Sequence, residues 1–81
     1  MPKIDTILAI REVEYGDAKN NFEKIGKIWG ALLDIEPIAP HQVALMMDAL
    51  KTVRVFNNPS HQDSWLDKQG YTEHGKDIAT R

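Results

Sequence analysis

Apolar positions recur at helical spacing along most of the chain. From about Lys3 to Glu14, Ile4, Ile7, Leu8, Arg11 and Tyr15 fall on one face at about 100° per residue, which predicts a first amphipathic helix. Gly16 suits the end of that helix and Asp17 the N-cap of the next. The second segment, from about Ala18 to Leu33, has the clearest pattern. Ala18, Phe22, Ile25, Gly26, Trp29, Leu32 and Leu33 share one face, and Lys19, Asn20, Glu23, Lys24, Lys27 and Asp34 take the other. Glu23 and Lys27 have the spacing at which opposite charges attract along a helix. Pro37 pushes Glu36 out of helical geometry, so 34–39 reads as a connection.

A third helix is predicted from Pro40, a residue suited to a first turn, to about Phe56. Val43, Met46, Met47, Leu50 and Val53 form its apolar stripe, and Asn57-Asn58-Pro59 breaks it. A fourth helix is expected to start with Ser60 as N-cap, with Asp63 completing a variant capping box, and to run to about Lys76 or Ile78. No segment sustains the two-residue alternation of a strand, and Val53-Arg54-Val55-Phe56 continues a helical pattern. The expectation is a single all-α domain over 1–81 with about four helices, two of them long and antiparallel and flanked by the others. The stripes of the two long helices exceed what short flanking helices can cover. Assembly into a helical-bundle homodimer or higher oligomer is therefore expected.

Composition sharpens this picture. A chain of 81 residues has a thin stability margin, and the absence of cysteine rules out disulfides, leaving metal, self-association or tight packing as support. Ten basic and twelve acidic residues, net charge −2, are interspersed along the chain. That distribution lacks the basic patch of a nucleic-acid binder and the basic amphipathic helix of a membrane-surface binder. No apolar run approaches the roughly 18 residues of a membrane span, and the expected location is the cytoplasm.

The residues that interrupt the amphipathic pattern are the candidates for chemistry. Arg11 falls between Ile7, Leu8 and Tyr15, and Arg54 between Val43 and Met47, both on apolar faces, with Lys51 on the shoulder. In the fourth segment Asp63, Asp67, Gly70 and His74 make one stripe, edged by Tyr71 and Ile78. Asp48 points away from the third helix's stripe and is expected in solvent. Desolvating an unpaired charge costs several kcal/mol, roughly, so inward charges need partners. Three arrangements satisfy this. Arg54 can pair with Asp63 and Asp67 in a structural network. Arg11, Lys51 and Arg54 can hold an anionic ligand such as a nucleotide phosphate. Asp63 and Asp67, one turn apart, can share a magnesium ion, with His74 two turns on. His41 and His61 read as surface residues at helix starts, and Trp29 and Trp65 as core or interface. There is no glycine-rich phosphate loop, no cysteine nucleophile and no Ser/His/Asp arrangement.

The spaced combination Arg11-x-x-x-Tyr15-Gly16-Asp17, Asn21-Phe22, Ile28-Trp29, Val43-Ala44-Leu45-Met46-Met47, Lys51-x-x-Arg54, Asn58-Pro59 and Asp63-Ser64-Trp65-x-Asp67-x-x-Gly70-Tyr71 resembles a family of small bacteriophage and prophage proteins of unknown function. The likeness runs from about Ile7 to Ile78. That family in turn is similar to the MazG-like all-α nucleoside triphosphate pyrophosphohydrolases, helical oligomers that hold magnesium through carboxylates on two helices. This similarity implies a nucleotide or other phosphorylated ligand. The candidate binding residues are Arg11, Tyr15, Lys51, Arg54, Asp63, Asp67, Tyr71 and His74, with Asp63 and Asp67 matching the aspartate-bearing helix as magnesium ligands. The other acidic cluster, a Glu-Glu-x-x-Glu run, has no counterpart, and Met46, Met47 and Leu50 stand where carboxylates are wanted. An incomplete carboxylate set turns the expectation away from an enzyme. Two functions follow. One is a phosphorylated-ligand binder with degenerate or weak hydrolysis. The alternative is a non-enzymatic phage-encoded module that binds or inhibits a host or defence protein.

Overall fold

Asp17 opens the described part of the computed structural model, residues 17–81; the helix expected over 3–14, with Arg11 and Tyr15, lies outside the described residues. Three helices follow: α1 (Ala18–Leu33), α2 (Pro40–Asn57) and α3 (Gln62–Ala79), with no strand among the described residues. The start and end of α1 and the start of α2 fall where the sequence places them. The Asp17 carboxylate accepts the Lys19 amide at 3.3 Å, capping one of the free N–H groups of the first turn of α1. At the other end Asp34 turns left-handed, with φ 56° and ψ 42°. The Ile35 amide then donates to the Gly30 carbonyl at 2.9 Å and the Asp34 amide to the Ala31 carbonyl at 3.4 Å, a Schellman closure of the helix. Pro40 occupies the first turn of α2, and the Ala39 amide donates to Gln42 Oε1 at 3.1 Å.

The start of α3 differs from expectation. His61, not Ser60, is the N-cap: its Nδ1 accepts the Ser64 amide at 3.3 Å and lies 2.8 Å from the Ser64 hydroxyl. Ser60 belongs to the turn, where its hydroxyl bonds Asn58 Oδ1 at 3.1 Å. The Trp65 indole N–H braces that turn by donating to the Pro59 carbonyl at 2.8 Å. Glu23 pairs with Lys19 at 3.6 Å, one turn before it, in place of the expected Lys27.

Helices α2 and α3 run antiparallel. As position rises on one it falls on the other: Ala44 meets Gly75, Asp48 meets Thr72 and Lys68, and Lys51 meets Asp67. Their contact is closer and longer than that of either with α1. α1 packs through Phe22 on Val43, Ala44, Tyr71 and His74, and its own connector also lies on it. Gly26 and Gly30, one turn apart, leave a bare strip on which residues 36–38 lie, and the Ile38 amide donates to the Gly26 carbonyl at 3.1 Å. A Cβ on Gly26 would stand 1.9 Å from the Ile38 carbonyl oxygen, so only glycine fits this close approach.

The core is small. Phe22, Val43, Ala44 and Val55 are its buried apolar side chains, and Ile25, Trp29, Ile38, Met47, Tyr71 and Ile78 line the packing around Phe22, Val43 and Ala44. The expected stripe of α2 is thus corrected in part: Val43 and Met47 face the core as expected, Met46, Leu50 and Val53 are exposed, and Ala44 and Val55 are buried with Asp48 and Lys51 beside them. The packed face is turned by roughly a quarter of the helix from the expected one, about one residue step. The cause lies on α3, which presents Ser64 and Gly75 as buried small residues, Gly75 directly against Ala44. Against these the Ala44 face of α2 can approach more closely than a face of Met and Leu. No described helix is long and apolar enough to cross a membrane.

Candidate functional site

The rotation of α2 decides where the charged candidates go. Its packed face carries Asp48 and Lys51 into the α2–α3 seam. Lys51 Nζ lies 3.0 Å from Asp67 Oδ2, with side chains 12% and 23% exposed. One turn away Lys68 pairs with Asp48, whose second oxygen accepts the Thr72 hydroxyl at 2.7 Å. Asp48, expected in solvent, is therefore a seam residue. Each helix contributes one acid and one base, so the two pairs neutralise each other across the seam.

The remaining candidates scatter. Arg54 and Asp63 are exposed, so the inward position expected for both is corrected, and among the described residues Lys51 is a cation that meets Asp67. His74 is buried edge-on against Phe22, with ring centres 6.1 Å apart, and Tyr71 sits tilted against the same ring at 6.2 Å. Both thus serve the α1–α3 packing in this arrangement. Among the described residues no group of three His, Asp or Glu side chains could hold a metal ion. Every buried side-chain polar atom of the described residues has a hydrogen-bond partner. No described polar group is therefore left buried and waiting for a ligand.

Sequence reasoning expected more apolar stripe than neighbouring helices could cover, but not which residues stay on the outer surface. Among the described residues ten large apolar side chains are exposed, against four buried apolar ones. Nine of them form two groups, and Trp65 on α3 stands apart from both. On α1 and its end stand Ile28, Leu32, Leu33 and Ile35, with Leu32 76% exposed. On α2 stand Leu45, Met46, Leu50, Val53 and Phe56, with Phe56 85% exposed. At about 100° per residue, these five and Ala49 fall within roughly 140° of the α2 circumference. Asp48, Lys51 and Arg54, the charged residues of α2, all fall outside that arc. The available signal was that α2 is apolar around more of its circumference than its contacts with α1 and α3 cover.

A family model described as a domain of unknown function (DUF6378) matches residues 3–79. The Gene 55 protein of Mycobacterium phage L5 is 44% identical over 61 residues, covering 75% of this chain and 39% of that protein. The chain thus spans well under half the length of this relative. No solved structure matches it. The resemblance to phage proteins of unknown function is borne out, and neither match carries the further likeness to MazG-like pyrophosphohydrolases.

Proposed function

We propose that this chain, which belongs to the DUF6378 family, works as a non-enzymatic protein-interaction module that meets its partners through the apolar faces of α1 and α2. The observation that carries this reading is the excess of exposed over buried large apolar side chains among the described residues. Burying one such side chain contributes about 1.5–3 kcal/mol, so faces of this kind gain from being covered. The phosphorylated-ligand reading, with MazG-like ancestry and magnesium, keeps the sequence resemblance as its support. Among its described candidates, however, Lys51 and Asp67 occupy each other, Tyr71 and His74 pack on Phe22, and Arg54 and Asp63 stand apart in solvent.

Two measurements separate the readings. Affinity capture from a bacterial lysate is expected to recover a stoichiometric protein that an Ile28→Glu/Leu32→Glu variant no longer holds. A thermal-shift panel of nucleotides, with and without magnesium, is expected to leave the melting temperature unchanged. A bound ligand at a hundred times its Kd would add about 2.7 kcal/mol and be obvious. Such a shift, with no captured protein, would replace this reading with the nucleotide one.

A further inference from the structure

We infer that the outer face of α2 is a two-fold docking surface on which a second copy of this chain packs its own α2. The inference rests on the interaction reading and assigns one of its two faces, leaving the α1 face for other partners.

Composition along the helix is the first argument. Ala49 stands near the middle of Pro40–Asn57, with Leu45 and Met46 on one side and Leu50, Val53 and Phe56 on the other. An antiparallel self-pairing places the two Ala49 methyl groups near the symmetry axis. There a small residue lets helix axes approach to about 8 Å, the near end of the usual range. The larger side chains then interdigitate on both sides of the axis, as an isologous interface requires. Phe56, at the C-terminal end of one α2, would cover the N-terminal end of the other.

Electrostatics permits the same pairing. Asp48 and Lys51 are already neutralised in the seam by Lys68 and Asp67, and no charged residue of α2 falls within the face. Bringing two such faces together opposes no like charges, which would otherwise reject self-association.

Area is the third argument. A whole aromatic side chain carries about 150–250 Å² and an aliphatic one somewhat less, so the five large side chains at their observed exposures present on the order of 100 Å² each. A symmetric pair therefore covers roughly 1,000 Å² before its rim is counted, the size at which an interface becomes specific.

Light scattering and sedimentation of the 81-residue chain at tens of micromolar test this. The wild type is expected at roughly twice its 9.2 kDa chain mass. Val53→Glu/Phe56→Glu is expected near the single-chain mass with an unchanged helical circular-dichroism signal, its dimer weakened more than tenfold. If that variant loses its helix signal, Val53→Ser/Phe56→Ser is read in its place, since both positions are solvent-facing. A wild-type monomer, or a dimer indifferent to both variants, overturns the inference. Binding of the dye anilinonaphthalene sulfonate tells this failure from failure of the interaction reading. A monomer whose dye emission drops in the variants keeps an exposed apolar face and loses only the second copy. A monomer whose emission is the same in all three, and also in Ile28→Glu/Leu32→Glu, loses both.

Discussion

The backbone amide of Ile38 donates to the carbonyl oxygen of Gly26 at 3.1 Å, stitching the chain that leaves α1 back onto that helix. The stitch depends on a missing side chain. Alanine in place of glycine inside a helix normally adds about 1 kcal/mol. At Gly26 the sign should reverse, because the new Cβ would overlap the Ile38 carbonyl. Gly26→Ala is expected to cost about 3 kcal/mol and lower the melting temperature by roughly 10–20 °C. Gly75→Ala, where a Cβ would lie 3.2 Å from the Ala44 methyl, should change stability by less than about 1 kcal/mol. A Gly26→Ala protein that melts like wild type would mean the connector does not lie on this strip.

The Lys51–Asp67 pair is half-sheltered, so it should be worth more than a surface pair and less than a buried one. Lys51→Glu, which opposes two carboxylates, is expected to cost about 2 kcal/mol in urea unfolding. The exchanged pair Lys51→Glu/Asp67→Lys should recover at least half of the summed single losses. Strict additivity of the two single changes would show that the residues do not interact.

Asp34 holds a left-handed backbone, φ 56°, that an L side chain adopts at a cost of roughly 1 kcal/mol. Asp34→Gly should stabilise the protein by about 0.5–1 kcal/mol, the relief exceeding the added freedom of the unfolded chain. Asp34→Val, branched at Cβ, should destabilise it by about 1 kcal/mol or more. The order Gly, Asp, Val in urea midpoint checks the Schellman closure; Val equal to Gly would contradict it.

The three described helices were legible. Asp17, Pro37 and Pro40 act locally, through caps and fixed backbone angles, and local effects survive into the fold. The face of α2 that packs was not legible, because periodicity shows where apolar residues lie and not which of two apolar faces finds a neighbour. Large residues drew the expected stripe toward Met46, Leu50 and Val53. The packing was decided by small ones, Ala44 against Gly75, whose contribution is closeness of approach and not hydrophobicity. The candidate site inherited that rotation. Arg54 moved out to solvent, and Asp48 moved in to meet Lys68. On α3 the usable signal was Ser64, Lys68, Tyr71, Gly75 and Ile78, a three- and four-residue spacing of small and mixed side chains that a search for large apolar residues passes over.

The antiparallel α2–α3 hairpin has a temporal consequence. Its two helices are consecutive and joined by only residues 58–61, so closing it restricts little chain. Docking α1 additionally requires the 34–39 connector to settle on the Gly26–Gly30 strip. Contacts between close sequence neighbours form early, and the hairpin should precede the stitch. In pulsed hydrogen exchange during refolding, amides in the middle of α2 and α3 should gain protection before the Ile38 amide. Simultaneous protection would indicate a single concerted step. Ile38 is therefore the clock hand of this small protein: its amide proton records when the first described helix joins a pair already formed.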